Sequence, residues 1–252
     1  MSHTFSDIKV MTKRNLLRHR RLPQLLVFST IQPVMFLLLF TYVFGGAITT
    51  GAGKYINYLL PGILVQAVLF GAMQTGIGLM EDVSKGMIDR FRSLPMARSA
   101  ILAGRTIADM LRNIFVIALM TAVGYLLGFR IEHGFFNFLI AVGMMLTFGF
   151  AFSWVSATIG LAVKNPETAQ VAGFIWVFPL AFASSIFVPV ATMSKGIRVF
   201  AEYNPITYTV NTVRALALGL PVDNNIWFAL IWIVAIMAIF VPLGINKYRK
   251  IT

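Results

Sequence analysis

The sequence predicts an all-α, polytopic membrane protein, and three observations lead to that fold class. Of the 252 residues, 58% are hydrophobic and only 12% are charged, whereas a soluble domain carries about 25% charged residues. Apolar runs close to the ~20 residues of a membrane-spanning helix recur along the chain. The basic residues, which give a net charge of +12, lie beside these runs. That placement is typical of topology signals and of contact with anionic lipid, and it argues against nucleic acid as a partner.

The first 24 residues are expected to form an interfacial helix ahead of the first span. Phe5, Ile8 and Met11 give this segment an uneven apolar edge, and basic residues follow it. Such a helix is expected to lie flat on the membrane surface. Two interpretations remain open for it: a docking or gating helix, and an anchor that only fixes topology.

The apolar runs predict six transmembrane helices. They cover residues 25–44, 60–80, 110–129, 136–163, 169–188 and 226–245. Gln32-Pro33 predicts a kink in the first span, and Pro61 is expected in the first turn of the second. Placing both termini in the cytoplasm puts most of the 21 Lys and Arg residues inside, as the positive-inside rule favours. We therefore expect a multi-pass plasma-membrane protein in which residues 1–252 form one transmembrane domain.

Residues 189–225, between the fifth and sixth spans, are too many for a turn and too apolar for an open loop. Arg198 and Glu202 have the i,i+4 spacing of a helical ion pair. Asn204-Pro205 then breaks this first element, and residues 208–218 predict a second helix that ends at Gly219. We expect a short extracellular segment of two helices that re-enters the outer leaflet, because backbone at that depth must be helical or covered.

The most charged internal segment, residues 81–98, lies between two predicted spans. An apolar stripe with helical spacing runs through it: Val83, Met87, Phe91 and Leu94. Its other faces carry Lys85, Asp89, Arg90 and Arg92. Pro95 ends the helix, because proline has no N–H to donate. The pattern fits an element that docks on another protein, and it also fits a solvated helix that rests on lipid headgroups.

Motifs of catalysis are absent from the sequence. There is no HExxH, no GxSxG and no cysteine, and the glycine-rich stretch at residues 51–55 lacks the first glycine and the hydroxyl residue of a phosphate-binding loop. We therefore expect no catalytic, metal or cofactor site in this chain. If the protein uses ATP, another chain must bind it.

Polar residues inside the predicted spans are few. Asp109 and Arg112 have i,i+3 spacing and are interpreted as an interfacial structural pair rather than a proton relay. Uncharged polar residues form a second set: Gln66, Gln74, Ser153, Ser156, Ser184 and Ser185. Such residues serve close helix packing, or they line a path for an amphiphilic solute. Both interpretations remain open.

An ordered set of short motifs extends over nearly the whole chain. The set consists of Tyr58 to Ile63, Asp82, Gly86, Asp89 to Pro95, Gly104-Arg105, Asp109, Arg112, Gly128 to Arg130, Asn165 to Gln170, Phe187 to Pro189, Met193, Asn204-Pro205, Arg214 and Gly219. In this order and spacing the sequence resembles the type-2 ABC exporter permeases, in particular the daunorubicin-resistance-like membrane subunits.

The resemblance implies six spans per subunit, two permease copies, and separate cytoplasmic ATPase subunits that hold ATP and Mg. It implies that residues 81–98 form the coupling helix, with Val83, Met87, Asp89, Arg90, Phe91, Arg92 and Leu94 at the ATPase. It also implies export of a hydrophobic drug, lipid or glycolipid, with residues 189–225 as an extracellular gate. The alternatives are an ATP-independent secondary carrier, a membrane scaffold and, third, a membrane enzyme.

Overall fold

The computed structural model describes residues 2–21, 23–48, 53–87 and 98–251, and within these ranges the chain is helical without strands. The helices are α1 (Ser2–Arg21), α2 (Pro23–Leu39), α3 (Tyr55–Ser84), α4 (Arg98–Leu126), α5 (Phe135–Gly160), α6 (Pro166–Phe182), α7 (Lys195–Tyr203), α8 (Pro205–Leu218) and α9 (Asn225–Ile251). A π-helical segment, Phe40–Phe44, continues α2, and a 3-10 turn, Val190–Thr192, precedes α7. The all-α prediction is confirmed.

Four stretches in the described ranges are long and apolar enough to cross a membrane: Tyr55–Ser84, Ala103–Leu126, Phe135–Gly160 and Asn225–Arg249. They correspond to the second, third, fourth and sixth predicted spans. Helix α2, which matches the first, has 17 residues and is continued by the five residues of the π-helical segment. Helix α6, which matches the fifth, has 17 residues. At 1.5 Å per residue α6 is about 25 Å long, against about 30 Å for the apolar layer. Six spans therefore remain a prediction.

Helix boundaries differ from the predicted ones in several places. Helix α3 begins at Tyr55, so Pro61 lies inside the helix and not in its first turn. Helix α4 begins at Arg98, well before residue 110, because its charged first half packs against α1. Helix α6 ends at Phe182, before residue 188. There the amide nitrogen of Asn204 donates to the carbonyls of Leu180 and Ala183, both at 2.8 Å, which satisfies acceptors that the helix end leaves free.

Helix α3 is the central element and packs most extensively against α5. A Cβ on Gly160 would collide with the carbonyl oxygen of Gly76, and one on Gly76 would collide with that of Ser156. Only glycine at these two positions allows the two backbones to come so close. Small residues are common at helix contacts in membrane proteins. The hydrophobic effect contributes little to helix association in lipid, so the helices associate through close van der Waals packing.

The two ends of α3 define the two ends of the bundle. We call the end at which α3 finishes the Asp82 end and the end at which α3 begins the Arg214 end. Met11 of α1, Leu79 of α3 and Tyr248 of α9 belong to one buried cluster, so α1 and the last turns of α9 both pack at the Asp82 end. At the other end, the backbone N–H of Glu132 donates to the carbonyl of Ala217 at 3.0 Å, which attaches the loop after α4 to α8.

Candidate functional site

A cavity of about 280 Å³ lies between α1, α2, α3, α4 and α6. Its wall on α3 is one helical face, and the residues on that face are Gln66, Ala67, Phe70, Gly71, Met73, Gln74, Ile77, Gly78 and Glu81. The facing side of α4 contributes Arg105, Asp109, Arg112, Asn113 and Val116. The remaining wall comes from Asn15, Gln32, Pro33, Phe36 and Phe174. Gln32-Pro33, where a kink was predicted, therefore faces the cavity, and α2 continues through Pro33.

The cavity changes from polar to aromatic along α3. Charged side chains line it towards the Asp82 end, where Glu81 and Arg105 lie. Phe36, Phe70 and Phe174 supply the aromatic surface. Phe70 packs edge-on against Phe178 of α6, with ring centroids 5.8 Å apart, which fixes one aromatic wall. A cavity with one apolar wall and one polar wall suits an amphiphilic molecule.

Asp109 and Arg112, predicted to pair, lie 3.7 Å apart between Oδ1 and Nη1, and both are buried. The hydroxyl of Thr75 donates to Asp109 Oδ2 at 2.6 Å. Arg112 Nη2 donates to the carbonyl of Gly71 at 2.7 Å. The pair therefore joins α4 to α3 and does not lie free at an interface, so each charge is stabilised by a neutral group of the neighbouring helix.

A second ion cluster lies at the Asp82 end and was not identified from the sequence. Asp82 of α3 is 3.0 Å from Arg105 of α4 and 3.4 Å from Arg14 of α1. One carboxylate thus links three helices at the point where the segment 81–98 begins. The available signal was an acidic residue at the end of an apolar run, since such a residue in a membrane protein is expected to have a partner.

The predicted path residues lie in three separate places. Gln66 and Gln74 line the cavity. Ser153 and Ser156 lie on α5 behind α3, where Ser153 donates to the carbonyl of Gly149 at 2.8 Å. A third group, Ser184 and Ser185, is buried at the Arg214 end. A single path through all six is not formed in this arrangement.

Arg214 is the central residue of a buried cluster at the Arg214 end of the bundle. It is 5% exposed and donates to the carbonyls of Tyr58 at 3.0 Å and Ser185 at 2.8 Å, and to Asn211 Oδ1 at 2.9 Å. Its guanidinium carbon lies 3.6 Å from the centroid of the Tyr58 ring, a cation–π contact. Tyr58 and Tyr55 donate to the carbonyls of Ser185 and Phe187. The connection after α6 is thereby held against the start of α3.

The predicted extracellular segment contains its two helices, α7 and α8. Arg198 and Glu202 pair at 2.8 Å as their spacing indicated. Helix α8 starts earlier than residue 208, at Pro205, because Asn204 Oδ1 accepts the N–H of Ile206 and caps the helix.

The predicted coupling residues are only partly described. Val83 and Met87 lie in the described ranges, and Val83 packs against the cluster at the Asp82 end. Five others fall outside the described residues: Asp89, Arg90, Phe91, Arg92 and Leu94. Their coupling role stays a prediction.

Comparison with known proteins identifies the family of this chain. The model of the ABC-2 type transporter family matches residues 6–218. The chain belongs to the ABC-2 type transporter family. The chain is 35% identical over 237 residues to the daunorubicin resistance ABC transporter permease protein DrrB1 of Streptomyces coeruleorubidus, covering 94% of this chain and 84% of that protein.

Two further relatives are more distant. One is the probable doxorubicin resistance ABC transporter permease protein DrrC of Mycobacterium tuberculosis, which is 27% identical over 96% of this chain and 88% of its own length. The other is the putative transport permease ycf38 of Cyanophora paradoxa, at 26% identity over 83% and 73%. The resemblance identified from the short motifs is confirmed, and an ABC permease is the class that the apolar helices fit.

Proposed function

We propose that this chain is the membrane-spanning permease subunit of an ATP-driven exporter. It has six spans and moves a hydrophobic or amphiphilic substrate, such as a drug, lipid or glycolipid, out of the cytoplasm or the inner leaflet. Two relatives are named for resistance to daunorubicin and to doxorubicin, which favours a drug-like amphiphile. ATP and Mg bind to a separate cytoplasmic ATPase subunit, and two copies of this chain form the pathway.

The observation that carries this proposal is the continuity between the segment 81–98 and the cavity. Helix α3 forms the cavity wall from Gln66 to Glu81, and its last residues are the first residues of this segment. A displacement of the segment by an ATPase therefore moves the cavity wall directly. The ion cluster of Asp82 carries the same displacement to α1 through Arg14 and to α4 through Arg105.

The ends of the chain support a cytoplasmic Asp82 end. Helix α1 and the last turns of α9 lie there, beside the start of the segment 81–98. Most of the basic residues outside the spans belong to these parts, as expected for the cytoplasmic face of a plasma-membrane protein. In this orientation an ATPase subunit meets Val83, Met87, Phe91 and Leu94 together with α1.

The test is co-purification of the tagged chain with an ATPase subunit, followed by an ATP hydrolysis assay. Phe91→Asp places a charge in the apolar stripe, so we expect the ATPase to dissociate or lose substrate stimulation while the permease still inserts. Phe91→Leu keeps an apolar side chain and should retain the complex. Transport by the purified chain alone, without an ATPase, would instead support a secondary carrier.

A further inference from the structure

Gln66 is a polar residue of the cavity wall, and its side-chain amide is unpaired in the part of the chain that the structure describes. It lies near the middle of α3 and is 3% exposed. Both Nε2 and Oε1 are buried and have no hydrogen-bond partner among the residues that the structure describes. A buried amide without partners lowers the stability of the fold. A ligand that supplies hydrogen-bond partners for Gln66 would remove this penalty.

The ionic groups of the cavity, in contrast, already have protein partners. Asp109 is bonded to Thr75 and paired with Arg112. Arg105 is paired with Asp82. The wall thus leaves little charge unpaired, whereas the donor and the acceptor of the Gln66 amide have no partner among the described residues.

An aromatic surface accompanies this amide. Phe70 follows Gln66 by one helical turn on the same face of α3. Phe36 and Phe174 line the same cavity from α2 and α6. Aromatic walls of this kind bind planar apolar groups by offset stacking and edge-to-face contacts.

We propose that Gln66 is a recognition residue for the neutral polar edge of an aromatic amphiphile. The ligand carries a hydrogen-bond donor and an acceptor side by side, as in a carboxamide, while its aromatic part lies against the phenylalanines. A charged group on the ligand is not required at this position. The inference rests on the proposed function for the identity of the cavity as a substrate site, and it names the chemistry that selects the substrate.

The binding test compares two fluorescent probes of nearly equal shape, anthracene-2-carboxamide and 2-acetylanthracene. The first offers donor and acceptor, and the second offers only the acceptor. Binding to the permease in lipid nanodiscs is measured for the natural chain, for Gln66→Leu and for the matched control Gln170→Leu. Gln170 is an exposed residue of α6 outside the cavity. Comparing one probe across the three proteins removes the contribution of its partition into lipid.

For the natural chain and Gln170→Leu we expect the carboxamide to bind about tenfold more tightly than the ketone, as for a hydrogen bond formed with an otherwise unpaired buried group. Gln66→Leu should abolish that preference. An equal preference in all three proteins, or a preference absent from the natural chain, would overturn the inference.

Thermal unfolding separates recognition from a structural role. Because the amide has no described protein partner, Gln66→Leu should unfold at the same temperature as the natural chain or at a higher one. A lower unfolding temperature would mean that the amide supports the fold, and would count against recognition. These measurements need no ATPase, so failure of ATP-driven transport would bear on the proposed function, while the probe preference bears on Gln66.

Discussion

The two ends of the central helix hold their neighbours by different chemistry. At the Asp82 end one carboxylate meets two arginines that come from α1 and α4. At the Arg214 end a buried arginine is held by carbonyls, an amide oxygen and the Tyr58 ring. Among the described residues no carboxylate pairs with Arg214.

This difference has mechanical consequences. The ion pairs of Asp82 join side chains on separate helices, so they can exchange partners as the helices move. The contacts of Arg214 go mainly to backbone carbonyls, whose positions are fixed by the chain, and they connect α8, α3 and the segment after α6. We therefore expect the Arg214 end to contribute more to stability and the Asp82 end to respond more to the ATPase.

The largest expected effect is that of Arg214→Met. The change leaves acceptors at Tyr58, Ser185 and Asn211 short of a donor in a buried site, and we expect a loss of about 3 kcal/mol in the free energy of unfolding. Unfolding in detergent, followed by circular dichroism, measures it. Arg214→Lys should recover only part of the loss, because an ammonium group cannot reproduce the planar set of donors. A change below that of an exposed arginine would refute the structural role of this cluster.

A smaller effect is expected from Asp82→Asn, about 2 kcal/mol, because the side chains of Asp82 and Arg105 retain some solvent. The same variant should also reduce substrate-stimulated ATP hydrolysis of the complex. This reduction should exceed the fraction of protein that the stability loss leaves unfolded. A double-mutant cycle with Arg105→Met isolates the pair, and the combined loss should be less than the sum of the single losses. Additive losses would show that the two side chains are not coupled.

The smallest effect is expected from Arg198→Ala, which breaks the ion pair with Glu202 on α7. Both side chains are about half exposed, at 49% and 46%, so we expect a loss below about 0.5 kcal/mol. The same unfolding assay gives the value. A loss as large as that of Arg214→Met would mean that α7 contributes more to the fold than its contacts indicate.

The sequence predicted the elements whose signal is local. Apolar runs located α3, α5 and α9, and the spacing of Asp109 with Arg112 and of Arg198 with Glu202 predicted two ion pairs. Helix α4 was predicted too short. Its first half carries charged residues, and a hydropathy pattern assigns such a stretch to a loop. Those charges are tolerated because α3 supplies partners for Arg105, Asp109 and Arg112, and that information lies in another part of the chain.

Contacts between residues far apart in the sequence could not be predicted from local patterns. Asp82 and Arg14 are 68 positions apart, and Arg214 and Tyr58 are 156 apart. No local period brings such residues together. The two glutamines were predicted as polar groups within a span, but only the packing of five helices shows that they share a cavity and that the serines lie elsewhere.

Reconstituted transport tests the central claim most directly. The chain and its ATPase subunit are incorporated into proteoliposomes, and movement of fluorescent daunorubicin across the membrane is followed with ATP, without ATP, and with Asp82→Asn in place of the natural chain. The account predicts transport that requires both ATP and the ATPase and that falls with Asp82→Asn. Transport at the same rate without ATP would contradict it.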